Sequence, residues 1–162
     1  MERAEKYNEF FILALFMMAS AMAAFIASTF STNPAAMDWY LHLAKPNLTP
    51  PEWLFGPVWT ALYILMAIAG WRIWQKRSDQ VVFTLLFYYF AQLGFNALWA
   101  LLFFGLRNPF LAFIDSALML LFIVLFLVKS IKVSKIAAWI FALYSCWGAF
   151  ALYLNSHILL LL

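Results

Sequence analysis

Residues Lys45 to Trp59 read K-P-N-L-T-P-P-E-W-L-F-G-P-V-W and hold four of the chain's six prolines. Thr49-Pro50-Pro51-Glu52 has the form of a helix start: a hydroxyl to cap the first free N–H groups, prolines where no N–H is needed, and a Glu three residues on to bond back. A helix is therefore expected from about Pro51. Pro57 lies inside it, where it withdraws a hydrogen bond from the Trp53 carbonyl and crowds it, so the first turn is expected to bend or open. Gly56 thins the same wall, and Trp53, Phe55 and Trp59 surround it. A stiff, proline-rich loop leading into a Trp-bearing helix mouth suggests a lid and one wall of a ligand cavity.

On both sides of this stretch the chain is apolar. It is 67% hydrophobic and 10% charged, with a mean hydropathy of +0.90, whereas soluble domains are about half apolar and a quarter charged. Such a chain is an integral membrane protein. Its apolar runs reach the roughly 20 helical residues needed to cross a hydrocarbon core, and it lacks the ten-residue alternation of a membrane barrel. The expectation is an all-α bundle of five transmembrane helices forming a single domain over 1–162. The helices fall at about 10–30, 51–75, 80–104, 109–129 and 134–161, with a ligand-covering loop at 31–50. The first run is too long for a signal-peptide core and has no convincing cleavage site. Its Ser20, Ala24 and Ser28 form a small-residue stripe, read as close helix packing. Asn108-Pro109 pairs a capping residue with Pro at a first helical position. The single cysteine, Cys146, excludes an internal disulfide.

Five spans put the termini on opposite sides. Arg3, Lys6, Arg72, Lys76, Arg77, Lys129, Lys132 and Lys135 collect on the N-terminal side, and Lys45 and Arg107 on the other, eight against two of the ten basic residues. Positive charge is enriched in cytoplasmic loops, so the N-terminus is expected in the cytoplasm and the proline-rich loop outside it.

Within the spans, two faces carry polar and aromatic groups. Tyr89, Gln92, Asn96 and Trp99 recur at helical spacing on the third run, and Tyr144, Trp147, Ala151 and Asn155 on the fifth. Polar groups are costly in lipid, so both faces should point into the bundle. With Trp53 and Trp59 they would make a flat-walled small-molecule pocket; equally, aromatics filling a core while Gln92, Asn96 and Asn155 cross-link helices would give the same pattern. Asp115 is the one acidic residue well inside a span, which marks a functional candidate, yet it lies near a helix start, where a carboxylate is also favoured. Lys45 and Arg107, at the expected mouth, are placed either to receive ligand carboxylates or to anchor the membrane interface. His42 and His157 lack a third clustered ligand, and no metal site is expected. No phosphate loop, nucleophile motif or paired carboxylates appear, and no nucleic acid partner is expected.

Read together, these residues resemble the translocator protein family, also called the tryptophan-rich sensory protein or peripheral benzodiazepine receptor family. The marks are Trp39-Tyr40, Lys45-Pro46 with Thr49-Pro50-Pro51, Gly56-Pro57-Val58-Trp59 with Leu62-Tyr63, Gln92-Leu93 with Asn96 and Trp99, Phe103-Phe104-Gly105, Asn108-Pro109, Asp115, Trp147 with Ala149-Phe150-Ala151, and Leu154-Asn155. The resemblance spans nearly the whole chain. It implies a five-helix bundle, commonly a homodimer embedded in membrane lipid. Its pocket would bind porphyrins such as protoporphyrin IX and haem, with sterols and benzodiazepine-type compounds as further ligands and no required cofactor. By position, Tyr40, Trp59, Asn96, Trp147 and Ala151 look like pocket residues, with Asp115 a further member; Trp53, Tyr63, Gln92, Trp99 and Tyr144 complete the ligand-binding set expected from both lines of reasoning. The family implies a receptor in tetrapyrrole handling or stress regulation, with transport of porphyrin or sterol as an alternative. In some bacterial relatives, tryptophans matching Trp59 and Trp147 are linked to light-dependent porphyrin breakdown. Two departures stand out. Leu48 replaces an aromatic frequent after Lys-Pro-x, and Leu154-Asn155 lacks the following Tyr and basic residue of the animal sterol pattern. The second departure argues against a sterol as the natural ligand, and the lack of a basic tail points to a bacterial cell membrane.

Overall fold

The structure, a computed structural model, describes residues 2–78 and 80–162, with side chains from Asn8 onward. Among the described residues six α-helices form: α1 (Glu2–Ser31), α2 (Pro34–His42), α3 (Glu52–Trp74), α4 (Val81–Ala100, continued by a π-helical turn Leu101–Gly105), α5 (Pro109–Ser130) and α6 (Lys135–Leu161). All except the short α2 contribute a segment long and apolar enough to cross a membrane, five in total. The chain is an all-α, multi-pass membrane protein.

The five long helices close into a ring. α1 packs on α3 and α4, α3 on α6, α6 on α5, and α5 on α4. Met66 and Ile73 of α3, Leu85 and Tyr89 of α4, Ile123 and Phe126 of α5, and Phe141 and Tyr144 of α6 are fully buried between them. The outward faces stay apolar, with Phe83, Phe87 and Phe90 of α4 exposed. Hydrocarbon around a spanning bundle makes that arrangement favourable, since the backbone polar groups are satisfied inside each helix.

Three local features differ from the sequence reading. Segment 31–50 is not all loop, because α2 occupies its first half. Asn33 Oδ1 accepts from the N–H groups of Ala35 (3.0 Å) and Ala36 (3.3 Å), with Pro34 at the first helical position. This is the same Asn-Pro device that starts α5, where Asn108 Oδ1 accepts from Leu111 N–H at 3.1 Å. Thr49 does not cap α3: its hydroxyl donates to the Pro46 carbonyl at 2.8 Å, closing a turn in the loop, and Pro51 holds the cap position without a side-chain bond. Pro57 lies inside α3, as expected, and the helix runs through it. The carbonyl it deprives of a helical donor, that of Trp53, lies in the first turn beside an exposed side chain.

The third difference is at the far end of α4. The Leu106 N–H bonds the Leu101 carbonyl, five residues back, at 2.8 Å, so the last turn is widened. Arg107 follows at φ 50°, a left-handed conformation uncommon for a residue with a Cβ. The widened turn carries Phe103 and Phe104 beneath α2. Trp39 meets Phe103 edge-on at 5.4 Å, and Tyr40 meets Phe104 at 5.8 Å. These contacts seat α2 across one end of the bundle.

Candidate functional site

Beneath α2 lies a cavity of about 900 Å³. α2 roofs it with Met37 and Tyr40; α1, α3, the end of α4 and α6 supply most of its walls. Its volume falls in the range of small-molecule sites, as does its make-up of apolar walls with few polar groups.

The aromatic wall is a connected set of rings. Trp59 of α3 stands 6.4 Å from Trp147 of α6 at 82°, and 5.8 Å from Tyr63. Phe55 meets Trp147 at 6.0 Å from the loop side. Opposite, Trp99 stacks on Phe103 at 4.9 Å and 12°. Such ring pairs contribute about 0.5–1.5 kcal/mol each beyond burial, so the wall is held in shape without a ligand.

Under this wall runs a hydrogen-bonded chain that crosses three helices. The Tyr63 hydroxyl donates to Asn96 Oδ1. Asn96 Nδ2 donates to the Tyr144 hydroxyl at 3.0 Å, and that hydroxyl donates to Gln92 Oε1 at 3.0 Å. Nearby, Trp99 Nε1 donates to Asn155 Oδ1 at 3.0 Å, and Asn155 Nδ2 to the Pro109 carbonyl at 2.9 Å. Tyr89 and Ser20 exchange a bond at 3.0 Å between α4 and α1. The polar stripe of α4 is therefore consumed in cross-links between helices, and the cavity lies against it. Helix cross-links and a cavity wall thus share one face of α4.

Of the residues expected at the site, Tyr40, Trp59, Tyr63, Asn96, Trp99, Trp147 and Ala151 lie on the cavity wall. Gln92 and Tyr144 sit one layer behind, fully buried in the polar chain. Trp53 turns outward and is 72% exposed. Asp115 is buried with neither carboxylate oxygen partnered, and stands off the wall beside Ser116, which is on it. Lys45 is also off the wall. Its Nζ is 4.4 Å above the Tyr40 ring and donates to the Leu41 carbonyl at 3.2 Å. Arg107 lines a separate hollow near Asn33 and Phe104, where it donates to the Ala35 carbonyl at 3.1 Å. His42 and His157 lie outside the wall as well.

Two wall groups stand apart by their polarity. Among the described residues the Trp147 indole N–H has no partner, and it is closed off from the open cavity although its ring lines the wall. The Tyr40 hydroxyl is held above its ordinary pKa by burial first and by the charge of Glu52 second, so it stays protonated and able to donate.

This geometry accompanies a clear kinship: residues 13–161 match the TspO/MBR family. The chain belongs to the TspO/MBR family. It is 38% identical over 151 residues to the tryptophan-rich protein TspO of Chlorobaculum tepidum, covering 91% of this chain and 93% of that one. It is 35% identical over 118 residues to the tryptophan-rich sensory protein of Cereibacter sphaeroides, covering 73% of each. The human translocator protein is 32% identical over 142 residues, covering 86% and 83%.

Sequence reasoning missed one side of this TspO/MBR cavity. The stripe Ser20, Ala24 and Ser28, read as a close-packing face, does pack α1 on α4 through Ser20 and also lines the cavity, with Ala21 and Phe25 alongside. Small side chains clear space as readily for a ligand as for a neighbouring helix, and spacing cannot separate the two. Glu52, read only as part of a helix start, is also on the wall. The proximity of Thr49-Pro50-Pro51 to Trp59 was the available signal for it.

Proposed function

We propose that this TspO/MBR chain is a membrane receptor for flat, apolar ligands of the tetrapyrrole class, protoporphyrin IX and haem among them, acting in tetrapyrrole handling or stress regulation. The single observation that carries this reading is the roofed cavity of about 900 Å³ whose walls are stacked and edge-on aromatic rings. A planar macrocycle would gain affinity from ring stacking and from burial worth about 25 cal/mol per Å² of apolar surface.

Purified protein titrated with protoporphyrin IX, haem and cholesterol, followed by tryptophan quenching, tests the reading. Saturable quenching by the two porphyrins is expected, weakened when Trp59 and Trp147 are both replaced by Phe. Absence of saturation, or an unchanged affinity in the double variant, overturns it.

The contact of Trp59 with Trp147 favours a second reading, porphyrin breakdown in light. Illuminated in air, protein with excess porphyrin would consume more than one equivalent, and the double Phe variant would not. Binding without consumption leaves the receptor reading alone.

A further inference from the structure

The cavity wall carries one charged side chain among the described residues, Glu52, at the first position of α3 where the wall meets the roof. Nothing neutralises it: no cation lies within ion-pair distance of it among the described residues, whose two ion pairs are His42 with Asp38 and Arg77 with Glu9. Lys45, in the loop that leads into α3, is committed to the Tyr40 ring and the Leu41 carbonyl. Glu52 is exposed and lines the wall together with Tyr40 of the roof, whose hydroxyl its charge pushes up in pKa, second to burial. A helix N-terminus favours a carboxylate at this position whatever the cavity holds. That local effect explains why Glu52 is tolerated, but its field still falls on any ligand beneath the roof.

We propose that Glu52 is a specificity residue that selects ligands whose outer edge, the part beneath α2, is neutral or cationic and disfavours those whose outer edge is a carboxylate. The inference rests on the receptor reading above and deepens it. The two basic residues near this end of the bundle stand off the wall, and an acid stands on it, so the charge preference is the opposite of the one suggested by Lys45 and Arg107. A porphyrin with free propionates would bind more weakly than its uncharged diester.

The test uses a charge series that does not depend on porphyrin. Pyrene bearing a butylammonium, a butanol or a butanoate chain is titrated into the full chain in phosphatidylcholine nanodiscs, with energy transfer from tryptophan as readout. The native protein, Glu52→Gln and Glu52→Lys are compared in the same discs, which cancels partitioning of the probes into lipid. The native protein should bind the amine more tightly than the acid. Glu52→Gln should shrink that ratio roughly three- to tenfold, as expected for one unit charge acting near a wet surface, and Glu52→Lys should reverse it. Added salt should compress the native ratio. A purely structural Glu52 would move all three affinities together and leave the ratio constant. That result overturns the proposal, as does the absence of saturable transfer from every pyrene. Protoporphyrin IX and its dimethyl ester are titrated alongside. If neither binds while the pyrene ratio shifts, the tetrapyrrole reading falls and the role of Glu52 stands.

Discussion

Two glycines on α3 show how little a residue's identity says without its surroundings. A Cβ at Gly70 would lie 2.6 and 2.7 Å from the Phe16 ring and 3.0 Å from Tyr89, so α1 and α4 would have to yield. A Cβ at Gly56 meets nothing within 4 Å, because that face opens onto the cavity. Gly70→Ala should therefore destabilise by about 1–3 kcal/mol, the usual cost of overpacking. Gly56→Ala should be neutral or stabilising by up to about 1 kcal/mol, since it stiffens a helix without a clash. Thermal unfolding in detergent checks both. The sequence singled out Gly56 by its place beside Pro57 but held no sign of Gly70, whose constraint comes from a ring in another helix. Trp147 extends the contrast to binding. Its N–H is buried and unpartnered, so Trp147→Phe should leave the melting temperature of the free protein nearly unchanged. With its ring on the aromatic wall, the same change should still lower affinity for a flat ligand about two- to tenfold, the worth of one ring contact of about 0.5–1.5 kcal/mol.

At the scale of elements, α4 was the most legible. Polar side chains at helical spacing in an apolar run must face partners, and Tyr89, Gln92, Asn96 and Trp99 all find them on α1, α3 or α6. What spacing could not tell was depth, that is, which of these groups reach the cavity and which stop behind it. Tyr144 belongs to the second kind, and its hydroxyl bonds both Asn96 and Gln92. Tyr144→Phe leaves a buried donor and acceptor without that partner. It should cost about 1 kcal/mol, tempered by the modest worth of such bonds within membranes, while ligand affinity changes less than twofold. Unfolding and titration of the same variant check the two halves, and a large loss of affinity at unchanged stability would place the hydroxyl in the site after all. α2 and the widened turn at Leu101–Gly105 were less legible for different reasons. The start of α2 was written in Asn33-Pro34, but the polar composition of segment 31–50 outweighed it. The π-helical turn has no local sequence sign, because it is set by the packing of Phe103 and Phe104 against Trp39 and Tyr40.

For the whole molecule, hydropathy was sufficient to count the spans but silent on their neighbours. Lipid is as apolar as the helices, so burial of apolar surface alone does not choose which pairs touch, and the ring order α1, α3, α6, α5, α4 follows from the cross-links and small residues between them. The charge distribution gives the ring a direction. Arg72, Lys76 and Arg77 cluster where α3 turns to α4, and Lys129, Lys132 and Lys135 where α5 turns to α6; the Arg3 and Lys6 side chains invoked on the same side lie outside the described residues. At this end Glu9 accepts from Trp71 Nε1 at 3.2 Å and pairs with Arg77 at 3.4 Å, which ties α1 to the end of α3. At the opposite end stand α2, the cavity mouth and only Lys45 and Arg107. By the bias of basic residues toward the cytoplasm, the mouth should face away from it. In a Cys146→Ala background, Asn47→Cys should react with a membrane-impermeant maleimide on intact cells, and Ser78→Cys only after the membrane is opened. Both positions are exposed, so lack of reaction reports sidedness rather than burial. The reverse pattern would invert the molecule and bring ligand to the roof of α2 from the cytoplasmic side.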